Sequence, residues 1–259
     1  MGGRGESIAP ARLVAISKAP TNGVSESAEP EALDRNPERV RGMFDRIARR
    51  YDLANHLLSA GLDFRWRNRA AALVRQWHPR RVLDLATGSG DLALTIAKKL
   101  PGAEITGADF SSEMLAIARA KGLTNTAVAD ALDLPFSDQT FDAVTVAFGL
   151  RNMQNWDAAL REMARVLTAG GYLLVLDFSL PRGILRPIYR SYLHHILPRI
   201  ARLVTGEKGA YEYLGASIEK FPSGATMCAL LEGSGFRDAT AEPLSGGIVT
   251  IYSATRRPA

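Results

Sequence analysis

Between Arg81 and Phe178 short aliphatic runs alternate with amphipathic stretches, an order that few folds accept. Strands are predicted at Arg81–Ala86, Glu104–Asp109, Thr126–Asp130, Asp142–Phe148 and Tyr172–Phe178, with helices at Asp91–Leu100, Ser111–Lys121 and Trp156–Leu167. Strands joined through helices run parallel, and the helices lie on both faces of one sheet. The runs Val144-Thr145-Val146-Ala147 and Leu173-Leu174-Val175-Leu176 suit strands covered on both sides. Gly170-Gly171 is read as the turn from helix to strand. The fold class is α/β with a mostly parallel sheet.

The flanks differ. Residues 1–36 are rich in Ala, Ser, Gly, Pro and Glu without a hydrophobic period and read as a mobile N-terminal extension, so the folded domain is assigned to 37–259. Residues 37–80 carry helical spacing broken near Ser59-Ala60-Gly61. Residues 81–181 and 222–254 form the predicted sheet core, and 182–221, with Pro187 and Pro198 as breakers, an inserted helical lid. A helix at Ser223–Gly233 precedes strands Ala239–Leu244 and Ile248–Ala254, which Ser245-Gly246-Gly247 joins into an antiparallel hairpin.

Composition excludes several classes. Apolar residues at 46% and charged residues at 23% of 259 describe an ordinary globular chain. The single cysteine, Cys228, can form no internal disulfide and no cysteine-based metal site, which suits a reducing, cytoplasmic setting. No run reaches the roughly 18 apolar residues of a spanning helix, and no secretory apolar region opens the chain. The net charge of +5 fits a nucleic acid, an anionic membrane surface, or neither. Arginines gather between Arg35 and Arg81 among Phe44, Tyr51, Phe64, Trp66 and Trp77, which equally describes a solvated helix face.

Chemistry concentrates at Val82-Leu83-Asp84-Leu85-Ala86-Thr87-Gly88-Ser89-Gly90-Asp91, a glycine-rich turn between strand and helix where a ligand can approach the backbone. With Ala93 the turn also satisfies a dinucleotide fingerprint, so alone it does not choose the ligand. Acids at successive strand ends do more: Asp84, Asp109 and Asp130. Carboxylates accept hydrogen bonds and repel phosphates. Asp109 suits ribose hydroxyls, Asp130 an adenine amino group, and Asp84 an α-amino group near the turn. That set favours S-adenosylmethionine, which carries an ammonium and a sulfonium where NAD carries two phosphates. Taken singly, each acid is equally a helix cap or turn residue.

Along nearly all of residues 37–254 the chain resembles the ubiquinone/menaquinone biosynthesis C-methyltransferase family. The resemblance rests on Tyr51-Asp52-Leu53-Ala54-Asn55-His56-Leu57-Leu58-Ser59 through Trp66, and on Arg165-Val166-Leu167-Thr168-Ala169-Gly170-Gly171 through Leu176-Asp177-Phe178-Ser179. Leu134-Pro135-Phe136, Phe148-Gly149-Leu150-Arg151-Asn152 and His195-Ile196-Leu197-Pro198-Arg199 add to it. Departures are Ala54 for methionine, Asp63 for histidine, Thr168-Ala169 for Lys-Pro and Asp177 for glutamate.

The resemblance implies a Rossmann-like class I S-adenosylmethionine-dependent methyltransferase that C-methylates a prenylated quinol: demethylmenaquinol, or its ubiquinone counterpart. It carries cofactor contacts onto Ser89, Asp109, Asp130, Ala131 and Ala147, beside Gly88, Gly90 and Asp84 of the turn. No metal is implied. Arg151, after the fourth strand, is expected to stabilise a phenolate electrostatically, or else to form a salt bridge with a neighbouring helix. The base is left open between His195, Tyr51 through water, and solvent. A polyprenylated substrate implies peripheral contact at the inner face of the plasma membrane, through the arginine-rich 35–81 region or the Tyr189–Arg202 stretch. No nucleic-acid partner is expected, since no RNA-binding module appears; a homodimer is left open. An RNA methyltransferase, an NAD-dependent oxidoreductase and a non-catalytic binding module of the quinone pathway are the competing readings.

Overall fold

The computed structural model describes residues 61–181, 183–197 and 209–258, with Glu38, Gly42, Ser59 and Arg199. Helix α1 (Leu62–Gln76) starts after Gly61, whose φ is +74°. Its inner face, Trp66, Ala70, Ala71 and Val74, recurs at helical spacing and is buried. Strand β1 (Arg81–Leu85), helix α2 (Asp91–Lys99), strand β2 (Glu104–Asp109), helix α3 (Ser112–Ala120) and strand β3 (Asn125–Val128) follow. After them come strand β4 (Phe141–Ala147), helix α4 (Trp156–Val166) and strand β5 (Leu167–Phe178). Ser111 and Asn155 cap α3 and α4, each side chain accepting from an amide three residues on.

The seven strands lie in the order β3-β2-β1-β4-β5-β7-β6. β1 to β5 pair in parallel, while β7 (Val249–Arg256) runs antiparallel between β5 and β6 (Phe236–Leu244). Alternate residues serve opposite faces. Leu83, Leu85, Val144, Val146, Leu173 and Val175 pack with Leu160 and Met163 of α4 and with Leu231 of helix α7 (Ala225–Gly233). Val82, Ala143, Leu174 and Leu176 pack with α1 and α2 through Trp66, Ala70, Leu92 and Ile96. The strand order reverses between β1 and β4, which opens a crevice at their carboxyl ends.

Most boundaries shift by one or two residues; three features depart further from expectation. β5 begins at Leu167: Gly170, at φ +75°, lies inside a register shift against β4 rather than ending a helix. β6 begins at Phe236, three residues before the first expected strand residue, because Phe236 and Arg237 pair with Arg256 and Thr255 before a bulge. Pro187 does not break a helix but sits in the first turn of α5 (Leu185–Ser191), where no amide partner is required. α5 continues as a π-helical turn at Tyr192–Ile196, and helix α6 (Gly209–Lys220) packs against that turn and against residues 150–152. Pro198 lies outside the described residues.

Candidate active site

The glycine turn leaves β1 through Ala86, which holds a φ of +51° although it is not glycine. At the end of β4, Phe148 holds +59°. Two left-handed non-glycine residues on adjacent strand ends mark a backbone held off its preferred basins where the sheet opens. The two ends nearly touch, since a Cβ on Gly149 would fall 2.5 Å from the Ala86 Cβ. Gly90 starts α2 at φ +84° with the Ala118 Cβ 3.0 Å from where its own would be, so only glycine suits both demands.

The acids behave differently from one another. Asp109 is the last residue of β2, and its carboxylate accepts from the Gly88 amide at 2.8 Å and the Ser111 amide at 2.9 Å. Asp130, beyond β3, is exposed and accepts from the Leu132 amide at 2.9 Å. Both line a cavity of about 340 Å³ with Glu38, Leu85, Phe110, Ala131, Leu132 and Asn152. Asp84 lies within β1 and points beneath the turn instead. It accepts from the Thr145 hydroxyl at 2.6 Å and the Thr87 hydroxyl at 2.7 Å, and is 1% exposed. Burial raises its pKa to about 6, against the pull of those hydrogen bonds and of Arg67.

Arg67 ties α1 to this turn. It is buried, pairs with Asp63 one helical turn back, approaches Asp91 at 3.8 Å, and stands over the Phe148 ring at 5.6 Å. Asp63 also accepts from Ser59 at 2.7 Å. The carboxylate that replaces the expected histidine thus has a buried guanidinium beside it.

Arg151 sits in a 3₁₀ turn at Leu150–Asn152 and is 5% exposed. Its Nη1 donates to Asp177 at 2.8 Å and to the Phe148 carbonyl at 2.6 Å, and its amide donates to the other Asp177 oxygen at 3.2 Å. The salt bridge therefore runs to strand β5, not to a helix. Burial holds the Asp177 carboxyl above its ordinary range, which Arg151 counteracts. The guanidinium lies 5.3 Å over the Phe178 ring. Its Nε and the Asn152 Oδ1 are buried and find no hydrogen-bond partner among the described residues. Burial, and after it Tyr192, push the Tyr189 phenol on α5 above its ordinary range, which Arg151 counteracts.

Of the residues read as cofactor contacts, Asp109, Asp130 and Ala131 line the cavity. Gly88 reaches it only through the amide given to Asp109, and Ser89, 5% exposed, and Gly90 shape the turn. Asp84 and Ala147 do not line it: Asp84 points the other way, and Ala147 packs against the core on the α1 side. His195 is exposed on the π-helical turn and is not brought to the cavity. Tyr51 and the rest of its motif up to residue 58 lie outside the described residues. Glu38, Asn152 and Gln154 line the cavity although no role was read for them; Asn152 was visible only as part of a quoted motif.

Comparison with known proteins agrees with this geometry. The ubiE/COQ5 methyltransferase family matches residues 32–256. A demethylmenaquinone methyltransferase of Thermus thermophilus is 48% identical, over 83% of this chain and 100% of that protein. A ubiquinone/menaquinone biosynthesis C-methyltransferase UbiE of Syntrophotalea carbinolica is 45% identical, over 84% of this chain and 94% of its own length. In fold, the chain resembles a SAM-dependent methyltransferase of Thermotoga maritima, described as a possible histamine N-methyltransferase, with a TM-score of 0.59 at 19% identity over 84% of this chain and 99% of that one. A family match of that extent, joined to relatives aligned along nearly their whole length, means that the chain belongs to the ubiE/COQ5 methyltransferase family.

Proposed function

We propose that this protein transfers a methyl group from S-adenosylmethionine to a ring carbon of a prenylated quinol, converting demethylmenaquinol to menaquinol. The observation that carries the reading is the charge of the cavity: among the described residues, its ionisable lining residues are Glu38, Asp109 and Asp130, all acids. Such a lining suits a ligand bearing positive charge and opposes a pyrophosphate. The residues fit the cofactor in shape as well, since Leu85, Phe110, Val128, Ala129 and Leu132 give apolar walls for a base. Asp109, oriented by two amides at the end of β2, is the acid assigned to the ribose hydroxyls, and Asp130 the one assigned to an adenine amino group.

When bound, S-adenosylmethionine supplies a methyl on a sulfonium, whose carbon–sulfur bond breaks as the quinol carbon forms its bond to the methyl. The protein aligns the partners, a contribution worth several kcal/mol. The buried Arg151 Nε–H, a donor without a partner among the described residues, is assigned to a ring hydroxyl: the guanidinium stabilises developing phenolate charge, and solvent, or Tyr51 through water, takes the proton. Asp177 holds that guanidinium in place. A polyprenyl tail keeps the substrate in a bilayer, so we place the enzyme in the cytoplasm with peripheral contact at the membrane's inner face.

A tritiated-methyl transfer assay on reduced demethylmenaquinol and on its ubiquinone counterpart tests this. Transfer to the former is expected, and Asp109→Ala should weaken S-adenosylmethionine binding at least about tenfold, roughly 1.4 kcal/mol. Arg151→Lys should keep the fold and lower kcat. Calorimetry that shows no heat with S-adenosylmethionine while NAD saturates the cavity would overturn the reading.

A further inference from the structure

The segment that runs from Ile184 through α5 and its π-helical turn is apolar on two sides. Leu193 and Leu197, one helical turn apart, are buried at 2% and 3% exposure, and the half-buried Tyr189 precedes them on the same stripe. The opposite side is also apolar. Ile184, Leu185, Ile188 and Ile196 are 83%, 50%, 64% and 47% exposed, and only Phe64 and Val128 join them as exposed large apolar residues among those described. Residues 183–199 contain no Asp or Glu, while Arg186, Arg190 and Arg199 are exposed around the isoleucines. The acid that reaches the segment from a packed neighbour is Glu219 of α6, which takes Arg190 at 2.6 Å and His194 at 3.1 Å.

We propose that this outward face is the surface by which the protein docks on an anionic bilayer, with Ile184, Leu185 and Ile188 entering the interface and Arg186 meeting lipid phosphates. The inference rests on the quinol reading, because it is the tail of that substrate which places it in lipid. An apolar patch that carries the exposed Arg186 and, within residues 183–199, no acid of its own complements an anionic interface, and no helix among the described residues is long and apolar enough to cross it. A second copy of the chain is a poorer fit: a stable protein interface takes about 20–30 residues a side, and the apolar face here is one short helix and a turn. The orientation also serves the chemistry, since the π-helical turn that continues α5 packs on α6, which itself contacts residues 150–152. A ring reaching Arg151 would leave its tail a short path to lipid.

Co-sedimentation with phosphatidylcholine vesicles, with and without phosphatidylglycerol, tests the proposal. The wild-type protein should bind the phosphatidylglycerol vesicles and release in high salt. The double variant Ile184→Asp/Ile188→Asp should lose at least about tenfold in partitioning, and Arg186→Ser about fivefold, with circular dichroism unchanged. Methyl transfer to a short-tailed quinol in detergent should stay at the wild-type rate, whereas transfer to a long-tailed quinol in vesicles should fall with binding. Unchanged vesicle binding by the double variant would overturn the proposal, as would equal binding to both vesicle types. So would a double variant that turns a dimer into a monomer in sedimentation velocity while still binding vesicles. Failure of the wild-type protein to methylate any quinol would instead overturn the functional reading and leave the vesicle result standing.

Discussion

At the scale of single residues, the acids at the strand ends show how one position decides a role. Asp84 pairs in register with Gly107, so Asp109 lies two rungs nearer the open end of the sheet. The last residue of a strand can turn its side chain out to a ligand; a residue one step earlier must point to one face, and Asp84 points into Thr87 and Thr145. The sequence pattern treats the two as equivalent ends, which is why Asp109 and Asp130 were legible as cavity residues and Asp84 was not. Asn152 was missed because nothing in residue type distinguishes an amide in a turn from one aimed into a cavity. Burial also gives Asp84 a measurable signature. Its pKa lies near 6 in the folded protein against an ordinary 3.8. Between those values the folded state binds more protons than the unfolded one, so this group lowers stability as pH rises through that window, by roughly 3 kcal/mol in all. Asp84→Asn should remove the fall. Denaturant unfolding at pH 4 and pH 7.5 should therefore show the variant gaining on the wild type at the higher pH, and a pH-independent difference would contradict the assignment.

At the scale of elements, the parallel strands and their helices were readable because aliphatic runs of strand length leave few other readings. What escaped was set by pairing partners. β5 reaches back to Leu167 because Phe141 offers it a rung, and β6 starts early because Arg256 and Thr255 extend β7. The link from α1 to the glycine turn was equally invisible, since Arg67 and Asp91 are distant in sequence. It makes a test of its own. Arg67→Met would leave the Asp63 carboxylate, 3% exposed, without its guanidinium, and should cost about 3–5 kcal/mol in urea unfolding. Asp63→Leu/Arg67→Met should recover most of that loss, because a buried pair replaced by apolar groups is often neutral. A double variant as unstable as the sum of the single ones would refute the pairing argument.

At the scale of the whole molecule, the reversal of strand order between β1 and β4 sets the cavity where both faces of the sheet are already covered. Ligand binding should therefore couple to global stability. S-adenosylmethionine at a hundred times its Kd should add about 2.7 kcal/mol and raise Tm, while NAD at the same concentration leaves Tm unchanged. Equal shifts with both would deny the cavity its preference for positive charge. The same topology constrains biosynthesis. β6 borders the sheet only through β7, which follows it in the chain and wedges between it and β5. Until the residues of β7 are available, β6 has no neighbour to pair with and β5 keeps a bare edge, so a released chain truncated after Leu244 would display two unsatisfied strands to chaperones.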